Sequence, residues 1–468
     1  MGSKVVQRPT AIPTLLQRRS SDEYVAPQYT DLDRRVVSRI KNEGLDAARR
    51  AVRPLADYWA SRLGTASALR ALNDAWGHDF YKVPSEATVD QEAADAALGG
   101  DELVIDVQVH FMGDGREQSD FALRVKEYMQ GVVPDRFKGM DSMTGYCLSE
   151  FIRCVYLESE TAVAILTSSP GEISRNYLPN LEIAGTRELM DRMAGTGRLL
   201  NHTIIHPNAP GDLEQMELLR DKYKPCGWKL YTMHGEEGWL GDERGWMLDD
   251  EECGMPFLER TRKMGVNRVC IHKGIAGLAP TGSPKDVGPA AKAFPDIEFL
   301  IYHSGYEIPV GPEEEGPYSE EVAHLGSNRL VKSLLDAGIK PGGNVYAELG
   351  STWFLSLRRP REAAHVLGKL LLAVGEDHVL WGTDSIWYDS PQPAIDAFRA
   401  FQIPEEYQEK HGYPALTPAI KEKILGLNAA RVYDIDTDKA RQAARTDDLA
   451  WARAALEEYK AKGMPSVT

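Results

Sequence analysis

The run "LVIDVQVHF" (103–111) carries Asp106, Gln108 and His110 at alternate positions. In a β-strand alternate residues share a face, so these three point one way while Val107 and Val109 point the other. A buried strand has no structural use for such a row, because each unpaired polar group there costs about 1–3 kcal/mol. Other apolar runs also end in ionisable or metal-capable side chains: His206, Lys229, His272, His303 and Asp384, with Glu348 on a further run. Two imidazoles and a carboxylate (His110, His272 and Asp384) that leave one coordination position open suit a single divalent ion. Zn²⁺ leads, with Mn²⁺ or Fe²⁺ as alternatives.

Such groups act together only if the fold brings them to one place. The chain alternates β-rich runs (103–111, 161–169, 199–208, 227–232, 267–274, 298–305, 344–351 and 378–385) with helical patterns such as Met255–Met264, Leu330–Ala337 and Ala363–Val374. Eight strands alternating with helices predict an α/β fold, a (β/α)₈ TIM barrel, over 101–436, in which all strand C-termini open on one face. A doubly wound sheet is the alternative, because periodicity does not close a barrel.

The first hundred residues read as a mainly helical N-terminal extension: a polar arm over 1–28, helix from Asp31 to about Leu72 broken at Pro54, then irregular wrapping to Gly100. His78 and Asp79 in "WGHDF" read as structural. "KEKILGLNAARVYDID" (421–436) is helical and packs on the barrel, and 437–468 is assigned to a C-terminal helix, of which "DDLAWARAALEEYKAKG" (447–463) reads as exposed and amphipathic. The Gly/Pro-rich stretch Gly274–Gly288 lacks the Lys-Ser/Thr ending of a phosphate loop and reads as a mobile loop over the mouth. Walker, dinucleotide, GxSxG and HExxH patterns do not occur.

Composition narrows the partners. Over 468 residues, 54 Lys and Arg against 70 Asp and Glu give a net charge of −16, which predicts no general attraction for nucleic acid or anionic membranes. No apolar run reaches the roughly 20 residues of a membrane span. Five cysteines without a CxxC pair fit a reducing compartment. Arg18-Arg19 is followed by polar residues and not by an apolar export segment, so a cytoplasmic location is expected.

In order, "IDVQVHF", "IHKG", "YHSG", "WGTDS" and "ILGLNAARVY" resemble the amidohydrolase superfamily. The resemblance is to its branch of metal-dependent barrel hydrolases and decarboxylases, which includes aminocarboxymuconate-semialdehyde decarboxylase, and it covers about 103–436. It implies that His110 and His272 are metal ligands, that His303 lies beside the substrate, and that Asp384 is both ligand and base. Gln108 stands where the family has His or, in some decarboxylases, Glu; its carbonyl oxygen is a neutral and weaker ligand. The metal is then held loosely, harder in preference, or lost.

The implied reaction is hydrolysis of a small, cyclic or aromatic substrate by metal-activated water, with Asp384 taking the proton and His303 stabilising the oxyanion or leaving group. The alternative on the same metal is non-oxidative decarboxylation of an aromatic or unsaturated acid, gripped by Lys229 or Lys273. A barrel that lost its metal and only binds ligand is a third reading. Lys229, Glu348, Tyr306 and Trp387 are the candidate substrate contacts. Lys229 could instead be a carbamylated bridge between two metals or a structural ion pair, and Glu348 an ion-pair partner. His202, His206 and His234 divide between mouth and packing roles. Tyr231, Trp239, Tyr302, Tyr306, Trp353, Trp387 and Tyr388 suggest a pocket for a planar molecule. A small-molecule substrate and a homo-oligomer, most simply a dimer, are expected.

Overall fold

In the computed structural model, which describes residues 12–19, 21, 26, 28–113, 144–169, 176–233, 245–275, 280–307 and 315–461, eight short strands lie side by side in sequence order. They are β1 (Val104–Val109), β2 (Thr161–Leu166), β3 (Leu199–Ile204), β4 (Gly227–Tyr231), β5 (Arg268–His272), β6 (Glu298–Tyr302), β7 (Val345–Glu348) and β8 (Val379–Leu380). All seven adjacent pairs are parallel. The helices Asn180–Ala194, Asp212–Tyr223, Gly254–Met264, Val287–Ala293, Asn328–Ala337, Pro360–Ala373 and Gln392–Ala400 follow β2 to β8 in turn. Strands covered on both faces read as near-continuous apolar runs, which is why their sequence is legible.

The sheet closes where β1 meets the chain beyond β8. Val107 N–H donates to the Trp381 carbonyl (3.1 Å), Asp384 N–H to Gln108 (2.9 Å) and His110 N–H to Ser385 (2.6 Å). The buried Asp106 carboxylate holds this seam. It accepts from Gln108 N (3.1 Å), Thr383 N (3.0 Å) and the Thr383 hydroxyl. β8 itself is only two residues long, so seam contacts from 381 onward do the work of the longer strand expected over 378–385.

The extension packs on the side of the barrel. Helix α1 (Asp31–Arg50) starts at a reciprocal cap between Thr30 and Asp33. Pro54 separates it from α2 (Leu55–Trp59), as its missing N–H requires. In α3 (Arg62–Trp76), Arg62 reaches Glu160 and Asp396 of the barrel (3.3 Å to Asp396), while Lys82 N–H donates to Ala400 and Gln402 N–H to Phe80. His78 lies 4.7 Å from the Phe80 ring, a packing contact.

Three local expectations need correction. Residues 91–98 are not irregular but a helix, α4, capped by Asp90 on Ala93 N. The stretch read as a loop over 274–288 contains two 3-10 turns and then helix Val287–Ala293, where Gly288 lies against the Ser333 backbone so closely that a Cβ would collide. Residues 276–279 of that stretch lie outside the described residues. The C-terminal segment is two helices, Thr437–Thr446 and Asp448–Ala461, and not one. Asp447 at the break caps Ala450 N (2.8 Å) and pairs with buried Arg198 (3.2 Å).

Replacing Asp106 with Ala leaves the Thr383 and Gln108 donors without their acceptor. We expect unfolding free energy to fall by about 3–5 kcal/mol, read from urea denaturation; a loss below about 1 kcal/mol would contradict the seam's role.

Candidate metal centre

The strand C-termini carry backbone that side chains rarely adopt. His303 (φ 58°) and Ser304 (φ 53°) follow β6, Ser351 (φ 54°) lies just beyond β7, and Asp384 (φ 60°) sits on the seam beyond β8. Such positions persist only where surrounding contacts impose them, and they cluster at functional sites. Here the contacts are visible. The His303 carbonyl accepts from the Thr352 hydroxyl (2.7 Å), Ser304 Oγ donates to the Glu348 carbonyl (2.7 Å), and Ser351 Oγ donates to Asp384 Oδ2 (2.5 Å).

The structure gathers the predicted residues into two neighbouring pairs. In the first, His110 Nε2 lies 3.1 Å from Asp384 Oδ1, both fully buried. His110 Nδ1 sits 3.0 Å from the Thr167 carbonyl, which makes Nδ1 the donor and turns the Nε2 lone pair toward Asp384. In the second, His303 Nε2 lies 3.1 Å from His272 Nδ1, while His303 Nδ1 faces the Gly350 carbonyl (2.8 Å). His272 Nε2 faces the Gly274 carbonyl at 3.2 Å. His272 is therefore turned toward His303 and Gly274, not toward His110, and joins the first pair only by redirecting a ring nitrogen.

Gln108 decides whether the first pair suits a metal. Its amide nitrogen faces both His110 Nε2 (3.3 Å) and Asp384 Oδ1 (3.1 Å), and its Oε1 is buried without a hydrogen-bond partner. Among the described residues, no three His, Cys, Asp or Glu side chains form a metal-binding group. The set reaches three donors only with the Gln108 amide oxygen. An imidazole lone pair, a carboxylate oxygen and, after a half-turn of the carboxamide, the orphaned amide oxygen would carry no hydrogen between them, and a divalent cation would satisfy all three. On donor chemistry the residues fit the ion.

Glu348 lies between the pairs. Its carboxylate accepts from His303 N (2.9 Å) and Gly350 N (2.5 Å), and burial pushes it up to about 7 despite His303 and those two donors. Ser351 and Tyr388 are additions that the residue pattern did not flag as a pair: Tyr388 OH lies 2.6 Å from Ser351 Oγ and so supports the group that fixes Asp384. A lone serine carries no sequence signal for this.

The remaining expectations separate. Lys229 is buried in the barrel, its Nζ over the rings of Tyr302 (3.9 Å) and Tyr231 (4.3 Å). Tyr306 gives its hydroxyl to Glu362 on the outer helix Pro360–Ala373, so only its ring is available to a substrate. Lys273 is a buried partner of Asp286 (2.7 Å), so it is not a spare cation for a substrate carboxylate. His202 lies deep among Tyr433, Tyr302 and Cys270, where burial keeps it neutral, a packing role. His206 has its backbone N–H on Asp212 (3.0 Å), whereas His234 and Trp239 lie outside the described residues. Trp387 is buried between Tyr146 and Tyr177.

Glu348 also predicts a pH dependence. A carboxyl raised in the folded state binds its proton more tightly than in the unfolded chain, so stability falls as pH rises from about 4.5 through 7. We expect Glu348→Gln to remove roughly 3 kcal/mol of that decline between pH 4.5 and 8, measured by denaturation at each pH. An unchanged slope would refute the shift.

A sequence model of the amidohydrolase family matches residues 187–435. No curated protein matches the chain in sequence. Among solved structures it is similar to 5-carboxyvanillate decarboxylase from Sphingomonas paucimobilis (16% identity, 71% of this chain and 99% of that one, TM-score 0.43). It is also similar to a dihydroxybenzoic acid decarboxylase from Polaromonas, solved with manganese and 2-nitroresorcinol (14% identity, 71% and 97%, TM-score 0.43). An amidohydrolase from Burkholderia multivorans gives 14% identity, 71% and 100% coverage and a TM-score of 0.40. The sequence match spans more than half of the 468 residues, and the protein is an enzyme of the amidohydrolase family.

Proposed function

We propose that the protein is a metal-dependent hydrolase of a small, cyclic or aromatic substrate. The observation that carries this reading is the approach of His110 Nε2, Asp384 Oδ1 and the Gln108 amide to one another at the C-terminal mouth of the barrel. These three would hold one divalent ion, with His272 as a further donor. One nitrogen and two oxygens accommodate Zn²⁺ but lean toward the harder Mn²⁺. When bound, the ion supplies Lewis acidity, polarising a substrate oxygen and acidifying water toward a pKa of about 7.

The chain's own groups do the rest. Ser351 Oγ donates to Asp384 Oδ2 and fixes the carboxylate, so that Oδ1, which would face the ion, keeps a second lone pair to accept the proton of an attacking water. His303 has Nδ1 on the Gly350 carbonyl and Nε2 facing His272 Nδ1; were His272 to turn to the ion, that Nε2 would be released and, in the charged form, its N–H would donate to a developing oxyanion or a leaving group. Glu348 holds the His303 and Gly350 backbone and thereby the spacing between the two pairs. Trp387 and Lys229 remain the proposed lining for an apolar, planar substrate. Decarboxylation on the same site is the second reading. It calls for a cation on the substrate carboxylate; Asp286 engages Lys273, which leaves Lys229 as the candidate for that role.

The test is metal content and turnover together. Purified protein should carry about one divalent ion per chain, lose hydrolysis of lactone or amide substrates on chelation, and recover it with Mn²⁺ or Zn²⁺. Asp384→Asn should lower kcat by at least about 100-fold. Full activity in metal-free protein would sink the proposal, and carbon dioxide release from hydroxybenzoates without hydrolysis would replace it with the second reading.

A further inference from the structure

We infer that the Gln108 amide is a two-position ligand, and that Glu348 is the positioning residue that receives its N–H₂ group when its oxygen turns to a divalent ion. This rests on the reading that His110, Gln108 and Asp384 hold such an ion.

The observed amide is satisfied on one side only. Its nitrogen donates toward His110 Nε2 and Asp384 Oδ1, while Oε1 is buried with no partner. A cation between His110 and Asp384 would meet those N–H groups head-on, so its arrival requires a half-turn of the carboxamide, which exchanges oxygen and nitrogen at nearly constant shape. The N–H₂ group then occupies the place where Oε1 now lies and needs an acceptor there.

Glu348 Oε1 is at hand. A Cβ built on Gly350 would lie within contact of both Gln108 Oε1 and Glu348 Oε1, and one on Gly382 would overlap Glu348 Oε1 and touch the Gln108 Cβ. The two side chains thus share a cradle walled by two glycines, with no room for a larger residue. Glu348 Oε1 already accepts from Gly350 N, and a carboxylate oxygen has a second lone pair for the amide. The half-turn gives Gln108's unmatched oxygen a partner within the space that the two glycines leave open. A residue that never touches the ion then tunes its affinity.

The experiment is a Mn²⁺ titration of the full chain, stripped by chelation, followed by the EPR signal of free Mn²⁺. Four proteins are compared: wild type, Glu348→Gln, Gln108→Glu and the double variant. Glu348→Gln changes the hydrogen bonds to the His303 and Gly350 backbone in either background, and that cost cancels in the comparison. We expect Glu348→Gln to weaken Mn²⁺ binding at least about fivefold more when residue 108 is Gln than when it is Glu, which has no N–H₂ to place. Equal losses in both backgrounds, or none in either, would overturn the inference while leaving the metal site standing. Wild-type protein that binds no Mn²⁺ or Zn²⁺ would instead overturn the metal reading and this inference with it. If the double variant does not fold, crystals of the Mn²⁺-loaded wild type decide: Gln108 Nε2 within hydrogen-bond distance of Glu348 Oε1 is expected, and Nε2 still between His110 and Asp384 refutes it.

Discussion

The whole mouth depends on one seam, where β1 lies against the chain beyond β8. A parallel barrel must close somewhere. Here three backbone hydrogen bonds and the Asp106 carboxylate close it within the segment that carries Gln108, His110 and Asp384. Asp384 N–H donates to the Gln108 carbonyl itself. The register that seals the barrel therefore also sets the spacing of the donors, and fold stability and site geometry share the same contacts.

The second constraint is burial. Asp106, Gln108, His110, His272, His303, Glu348 and Asp384 are all fully buried, which would be costly without partners. The turn after β7 supplies many of them: Glu348 takes two backbone N–H groups, the Gly350 carbonyl holds His303, and Ser351 holds Asp384. This one turn ties the His272–His303 pair to the His110–Asp384 pair. The left-handed backbone at His303, Ser351 and Asp384 is the conformational cost of making those contacts.

Much of this was legible in the sequence. Alternation exposed the polar row on β1, apolar runs marked all eight strands, and Pro54 marked the break between α1 and α2. What escaped was set by distant contacts. Nothing near Lys273 announces that Asp286 neutralises it, and Tyr306 looks available until Glu362 arrives from the helical layer. Gly288 reads as a loop residue, yet it is a helical glycine pressed on Ser333. Asp447 splits the C-terminal segment because it caps one helix while pairing with Arg198, whose position only the fold supplies. Ser351, Gly350 and Gly382 matter through space, and single small residues leave no periodic trace.

The proposed chemistry requires a divalent ion at the seam. Its most direct test is the Mn²⁺ stoichiometry of the full chain by equilibrium dialysis, for wild type, His110→Ala and Asp384→Asn, with folding checked by circular dichroism. One ion per wild-type chain and none in either folded variant is the predicted result; an ion retained undiminished in either variant would contradict it.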